Sequence, residues 1–116
     1  MTIEDLRNIC KNLKGVTEDI KWEYDLCFNV GGKMFLVTAP ESVPTGASFK
    51  VPDESFEEIS ALPGFMPAPY LARHKWVHVD DINRVKKKDW QKFIEDSYAL
   101  VAGKLPARVK KELGII

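Results

Sequence analysis

No run in this chain comes near the roughly 20 consecutive apolar residues of a membrane span, so no spanning helix is expected. An excess of charge is missing too: Lys plus Arg and Asp plus Glu both number 17. A balanced chain has no overall field to draw it to DNA or to a membrane, and any electrostatic binding must come from local clustering. Cysteine is scarce. Cys10 and Cys27 fall in different elements and form no CxxC, so they read as buried free thiols in a reducing compartment, with a disulfide as the lesser alternative. The opening MTIEDLR has neither a basic n-region nor an apolar run, which predicts no secretory leader and a cytoplasmic location. Repeats, low-complexity tracts and linkers are also missing. What remains is 116 residues with 45% apolar and 29% charged content, an ordinary balance that predicts one folded domain over residues 1–116.

Thr2 and Asp5 stand at capping-box spacing before Ile3, Leu6, Ile9, Cys10 and Leu13, and Gly15 follows, so a helix is predicted over residues 3–13. Strand patterns come next. Ile20, Trp22 and Tyr24 alternate with polar residues; Leu26, Phe28 and Val30 form a second set; residues 34–39 form a third after Gly31-Gly32. Paired glycines between apolar runs predict a hairpin, because its turn needs positive φ. Residues 47–51 make a short fourth strand, ended by Pro52. Asp53 then caps a helix whose Phe56, Ile59 and Leu62 share a stripe.

The stretch from Gly64 to Asp81 joins fold to possible function. Pro67 and Pro69 stiffen the approach to Tyr70, which reads as a turn. A strand is predicted over residues 75–79, with Val77 and Val79 toward the core and His74, Trp76 and His78 on the other face. Trp90, Phe93, Ile94, Ser97, Tyr98 and Val101 make the strongest helical stripe, over residues 87–103. Pro106 opens a last short helix bearing Val109 and Leu113, and Gly114 is placed to end it in a Schellman turn.

Three signatures, GGKMF at 31–35, PAPYLARHKWVHV at 67–79 and DSYALVAGKLP at 96–106, occur in an order that resembles the MmcQ/YjbR family of small bacterial proteins. The similarity runs over nearly the whole chain. It implies an α/β (α+β) fold of the frataxin-like, CyaY-like type, with an antiparallel sheet of about five strands packed against helices in the order α-β-β-β-β-α-β-α-α. It also implies the family's label of a DNA-binding protein with a double-wing motif. Carried over onto this chain, Lys33 lies in the first signature, His74, Lys75 and Trp76 in the second, and Ser97 and Tyr98 in the third. The neutral charge departs from what that label would predict.

Chemistry for catalysis or metal binding is not legible. His74 and His78 are four apart, which on a strand separates them by about 13 Å, so no metal site is expected. Iron binding by an acidic helix face does not carry over, because Glu4 and Asp5 are mixed with Arg7 and Lys11. The serines lack a glycine elbow, and Ser97 is expected to bond back to a helix carbonyl. The chain therefore reads as a monomeric non-enzyme without a cofactor.

Basic residues are the remaining candidates. Arg84, Lys86, Lys87 and Lys88 stand where the long helix begins, against the macrodipole, and Lys104, Arg108, Lys110 and Lys111 surround the last helix. Aromatic candidates are Trp22 and Trp76. The expected nucleic-acid contacts are Lys33, Arg73, Lys75, Arg84, Lys86, Lys87 and Lys88, with Trp76 or His74 as a stacking surface for DNA or a single strand. The competing reading is a protein-interaction or small-ligand module.

Overall fold

In the computed structural model, which describes residues 1–115, helix α1 spans Ile3–Lys11. Its capping box is complete: the Asp5 amide donates to Thr2 Oγ1 at 3.2 Å and the Thr2 amide to Asp5 Oδ2 at 2.8 Å. Hydrogen bonding to Thr2, first from its amide and then from its side chain, holds the Asp5 carboxyl below its ordinary pKa. Strands β1 (Val16–Lys21), β2 (Asp25–Val30), β3 (Lys33–Thr38) and β4 (Ala47–Lys50) follow. After α2 (Phe56–Ser60) come β5 (Phe65–Pro67), β6 (Trp76–Val79), α3 (Lys87–Ala102) and α4 (Ala107–Glu112).

The strands form one antiparallel sheet in the order β1-β2-β3-β4-β6-β5. It has six members rather than about five, because the proline-rich approach to Tyr70 contains β5. Pro67 is tolerated there because β5 is an edge, where a missing N–H breaks no second ladder. The first strand also differs from expectation. It ends at Lys21, and Trp22 and Glu23 turn the chain with φ of 51° and 72°. Their apolar–polar alternation reflected a turn, and Ile20, Trp22 and Tyr24 are all exposed.

Pleating gives the sheet two faces. Phe28, Leu36, Phe49, Val77 and Val79 are buried on one, under α1 and α3. Trp90 of α3 is fully buried there, its ring 5.4 Å from Phe49, and its indole N–H donates to the Ile82 carbonyl at 2.9 Å. Ser97 does not bond to its own helix. Its hydroxyl donates to the Phe35 carbonyl at 2.6 Å and accepts from the Lys50 amide at 3.0 Å, joining β3 to β4 beyond their last ladder pair, Leu36↔Phe49.

Helix α4 ends as a Schellman motif: the amide of Ile115 donates to Lys110 O at 2.9 Å and that of Gly114 to Lys111 O at 3.1 Å. Both cysteines are buried thiols. Burial is the chief cause that pushes Cys10 up to about 12 and Cys27 up to about 11. Iodoacetamide at pH 8 should therefore leave the native protein unlabelled and label both thiols in urea. Rapid native labelling would show that one of them is open to solvent.

Candidate nucleic-acid interface

The sequence-nominated residues fall into two groups at opposite ends of α3. Lys33 follows the Gly31-Gly32 tip of the β2–β3 hairpin, and that tip is seated rather than free. A Cβ on Gly31, whose φ is +57°, would lie 2.7 Å from Leu105 Cδ1 and 3.3 Å from Val109 Cγ1. The absence of a side chain lets the hairpin lie against the segment that links α3 to α4. Lys33 is thereby brought to Lys104, which follows the end of α3.

Lys50, at the end of β4, completes the group. These three lysines, with Leu100, Val101, Leu105 and Pro106, line a cleft of about 260 Å³. Lys50 is half-buried, and its ammonium donates to the His74 carbonyl. Its pKa is lowered, first by burial and then by the nearby charge of Lys104; Lys75 acts in the same sense, and Asp53 opposes them. Lys75 is not a strand residue. It adopts φ 64° as the cap of a short 3-10 turn, Ala72–His74, and its ammonium stands 5.0 Å from the Phe56 ring centroid. Arg73 and His74 are exposed on that turn, Arg73 Nε donating to His74 Nε2 at 3.3 Å.

The second group stands at the other end of α3, a helix of 16 residues and about 24 Å in length. Arg84 lies across Gly64, where any Cβ would collide with it, and its guanidinium is paired with Asp80. Lys86, Lys87 and Lys88 are exposed, and Lys86 occupies the N-cap of α3 without a side-chain capping bond. No ion pair relieves them among the described residues.

Trp76 requires a correction. It is only 6% exposed, so its ring is not available as a stacking platform for a base. The exposed aromatics are Trp22, Tyr24 and Tyr70, at 65%, 58% and 99%. Lys50 was missed by sequence reasoning, because an isolated lysine ending a strand carries no local signal. Lys104 was assigned to the dipole of the last helix, whereas its position after α3 turns it toward the cleft.

Among the described residues no cluster of three or more His, Cys, Asp or Glu side chains is placed to hold a metal. His78 Nδ1 and Ser48 Oγ share a 2.8 Å hydrogen bond, and burial lowers the pKa of that imidazole. No helix is long and apolar enough to cross a membrane among the described residues.

The class defined by these features is a mixed α/β domain, with one antiparallel sheet backed by helices and a lysine-lined cleft at one end. A family model described as YjbR matches residues 11–100, and the chain belongs to that family. A crystal structure of a Deinococcus radiodurans protein with a DUF419 domain is similar at 30% identity and a TM-score of 0.86, over 97% of this chain and 88% of that one. A Pseudomonas syringae protein shares the fold, with a TM-score of 0.71 at 19% identity over 87% of this chain and 99% of that one. No curated protein matches the chain.

Proposed function

We propose that this protein binds nucleic acid weakly, through phosphate, at the cleft formed by Lys33, Lys50 and Lys104 with Lys75 beside it. The observation that carries this reading is the convergence of ammonium groups in a chain of zero net charge. Like charges brought together on a partly desolvated lysine are unfavourable until an anion joins them, and a phosphate supplies that anion. The DNA-binding expectation drawn from the family resemblance points the same way. The function is non-enzymatic in this reading and calls for no cofactor.

Fluorescence anisotropy with a short single strand and a short duplex, across a salt series, tests it. Three to four phosphate contacts give a duplex affinity that falls as about the third to fourth power of salt, and a single-strand affinity that falls somewhat less steeply. Lys33→Gln with Lys104→Gln should flatten the duplex slope by about 2 and weaken all sequences alike. Replacing Lys86, Lys87 and Lys88 by glutamine should leave that slope in place. Loss of binding in the second variant only would move the interface to the start of α3. No binding at low salt by the folded protein would decide for the interaction or small-ligand reading.

A further inference from the structure

The helix-free face of the sheet carries a second concavity that shares no lining residue with the lysine cleft. Met34, Val37 and Ser48 form part of its lining, and Pro69, Tyr70 and Leu71 cross beside them. Trp22 and Asp25, from the β1–β2 turn and the start of β2, complete a groove of about 590 Å³. That volume falls within the range of about 300–1,000 Å³ usual for small-molecule sites.

Its two aromatic residues are held in backbone conformations that bulky side chains avoid, with φ of 51° at Trp22 and 67° at Tyr70. Both remain exposed instead of joining the core. Non-glycine residues held at such positive φ are among the backbone outliers that cluster at ligand sites. The one charged side chain on the lining is Asp25, and no ion pair neutralises it among the described residues. Lys21 is its partner across the strands, but the ammonium turns away to Asp19 at 3.1 Å and Asn29 at 3.3 Å. His78, bonded to Ser48 at 2.8 Å, has its pKa lowered by burial and adds no positive charge beneath the groove near neutral pH.

We propose that this groove binds a small organic cation with a flat apolar body. The ammonium meets the Asp25 carboxylate and the electron-rich faces of Trp22 and Tyr70, while the body covers Met34, Val37 and Leu71. An anion would face an unpaired carboxylate. A neutral molecule of the same shape would gain the apolar contacts alone. The proposal is independent of the phosphate reading, since the two sites select opposite charges.

An NMR titration of the ¹⁵N-labelled full chain with phenethylamine, benzyl alcohol and phenylacetate compares a similar ring in three charge states. Phenethylamine should shift the Trp22 indole signal and the Asp25 and Tyr70 amides, with benzyl alcohol weaker and phenylacetate weakest. The indole signals of Trp76 and Trp90, both buried, should stay in place and report that the fold is intact. Asp25→Asn should weaken phenethylamine about tenfold, to the level of benzyl alcohol, and leave the alcohol unchanged. Phenylacetate binding as well as phenethylamine, or no shift of these signals by any of the three, would overturn the proposal. Shifts caused by oligothymidylate and not by phenethylamine would assign the groove to unpaired bases and also overturn it.

Discussion

Replacing Trp90 with alanine should destabilise the protein by about 3–5 kcal/mol, a large part of the roughly 5–15 kcal/mol that holds a domain together. The side chain is fully buried, with Phe49 at 5.4 Å and Phe93 at 6.3 Å between ring centroids. Truncation would open a cavity between α3 and the sheet, because helix and strand backbones hold their places while the ring is gone. It would also strip the Ile82 carbonyl of its indole donor, 2.9 Å away. Two losses act at one position. Urea denaturation followed by far-UV circular dichroism would show the midpoint falling by about 1–3 M at an ordinary slope. Trp90→Phe keeps most of the ring and loses the donor, so it should cost clearly less. Equal midpoints for wild type and Trp90→Ala would show that this residue does not key helix to sheet.

Ser97→Ala removes one oxygen atom and should still cost about 2–4 kcal/mol. Ladder pairing between β3 and β4 stops at Leu36↔Phe49. Beyond it the Phe35 carbonyl and the Lys50 amide bond to the Ser97 hydroxyl, and alanine would leave both unpaired beneath the helix. Each orphaned buried group costs about 1–3 kcal/mol. Hydrogen exchange separates this from a general loss of stability: the Lys50 amide should lose protection beyond the drop seen for the slowest core amides. A Lys50 amide that exchanges no faster than its neighbours would show that water replaces the hydroxyl without penalty. The same bond fixes the backbone from which Lys50 enters the cleft, so the variant should also loosen one wall of the proposed phosphate site.

The contrast between these two residues shows what the sequence makes legible. Trp90 belongs to a stripe with a helical period, and its burial followed from that stripe alone. Ser97 shares the stripe, yet its partners come from strands 47 and 62 positions away, and no local pattern encodes them. Strand β5 was hidden because two of its neighbours and its last residue invite a turn reading: Pro63, Gly64 and Pro67. Pairing with β6 overrides that local preference. The reverse happened at Trp22, where alternation suggested a strand and the tight return from Lys21 to Asp25 left a left-handed turn. For the candidate site, Lys33 and Lys75 were visible from their signatures. Lys50 and Lys104 joined them only through the ends of β4 and α3 meeting in space. Trp76 had the right composition and the wrong exposure, since parity along a strand names a face without saying whether that face is covered.

The order of strands has a consequence for how molecules of this protein meet one another. A sheet with open margins exposes unpaired amides and carbonyls that invite a strand from a neighbour, the first step toward ribbons and fibrils. Here the two margins are guarded by different means. On β1 the exposed Glu18 and Asp19 are held in ion pairs with Arg7 at 2.9 Å and Lys21 at 3.1 Å, and an incoming strand would have to displace or desolvate those pairs. On β5 the margin is three residues long and ends in Pro67, which offers no amide to a seventh strand. The longest apolar strands, β2 and β3, lie inside both guards, so the segments most able to polymerise are released only when the whole sheet comes apart.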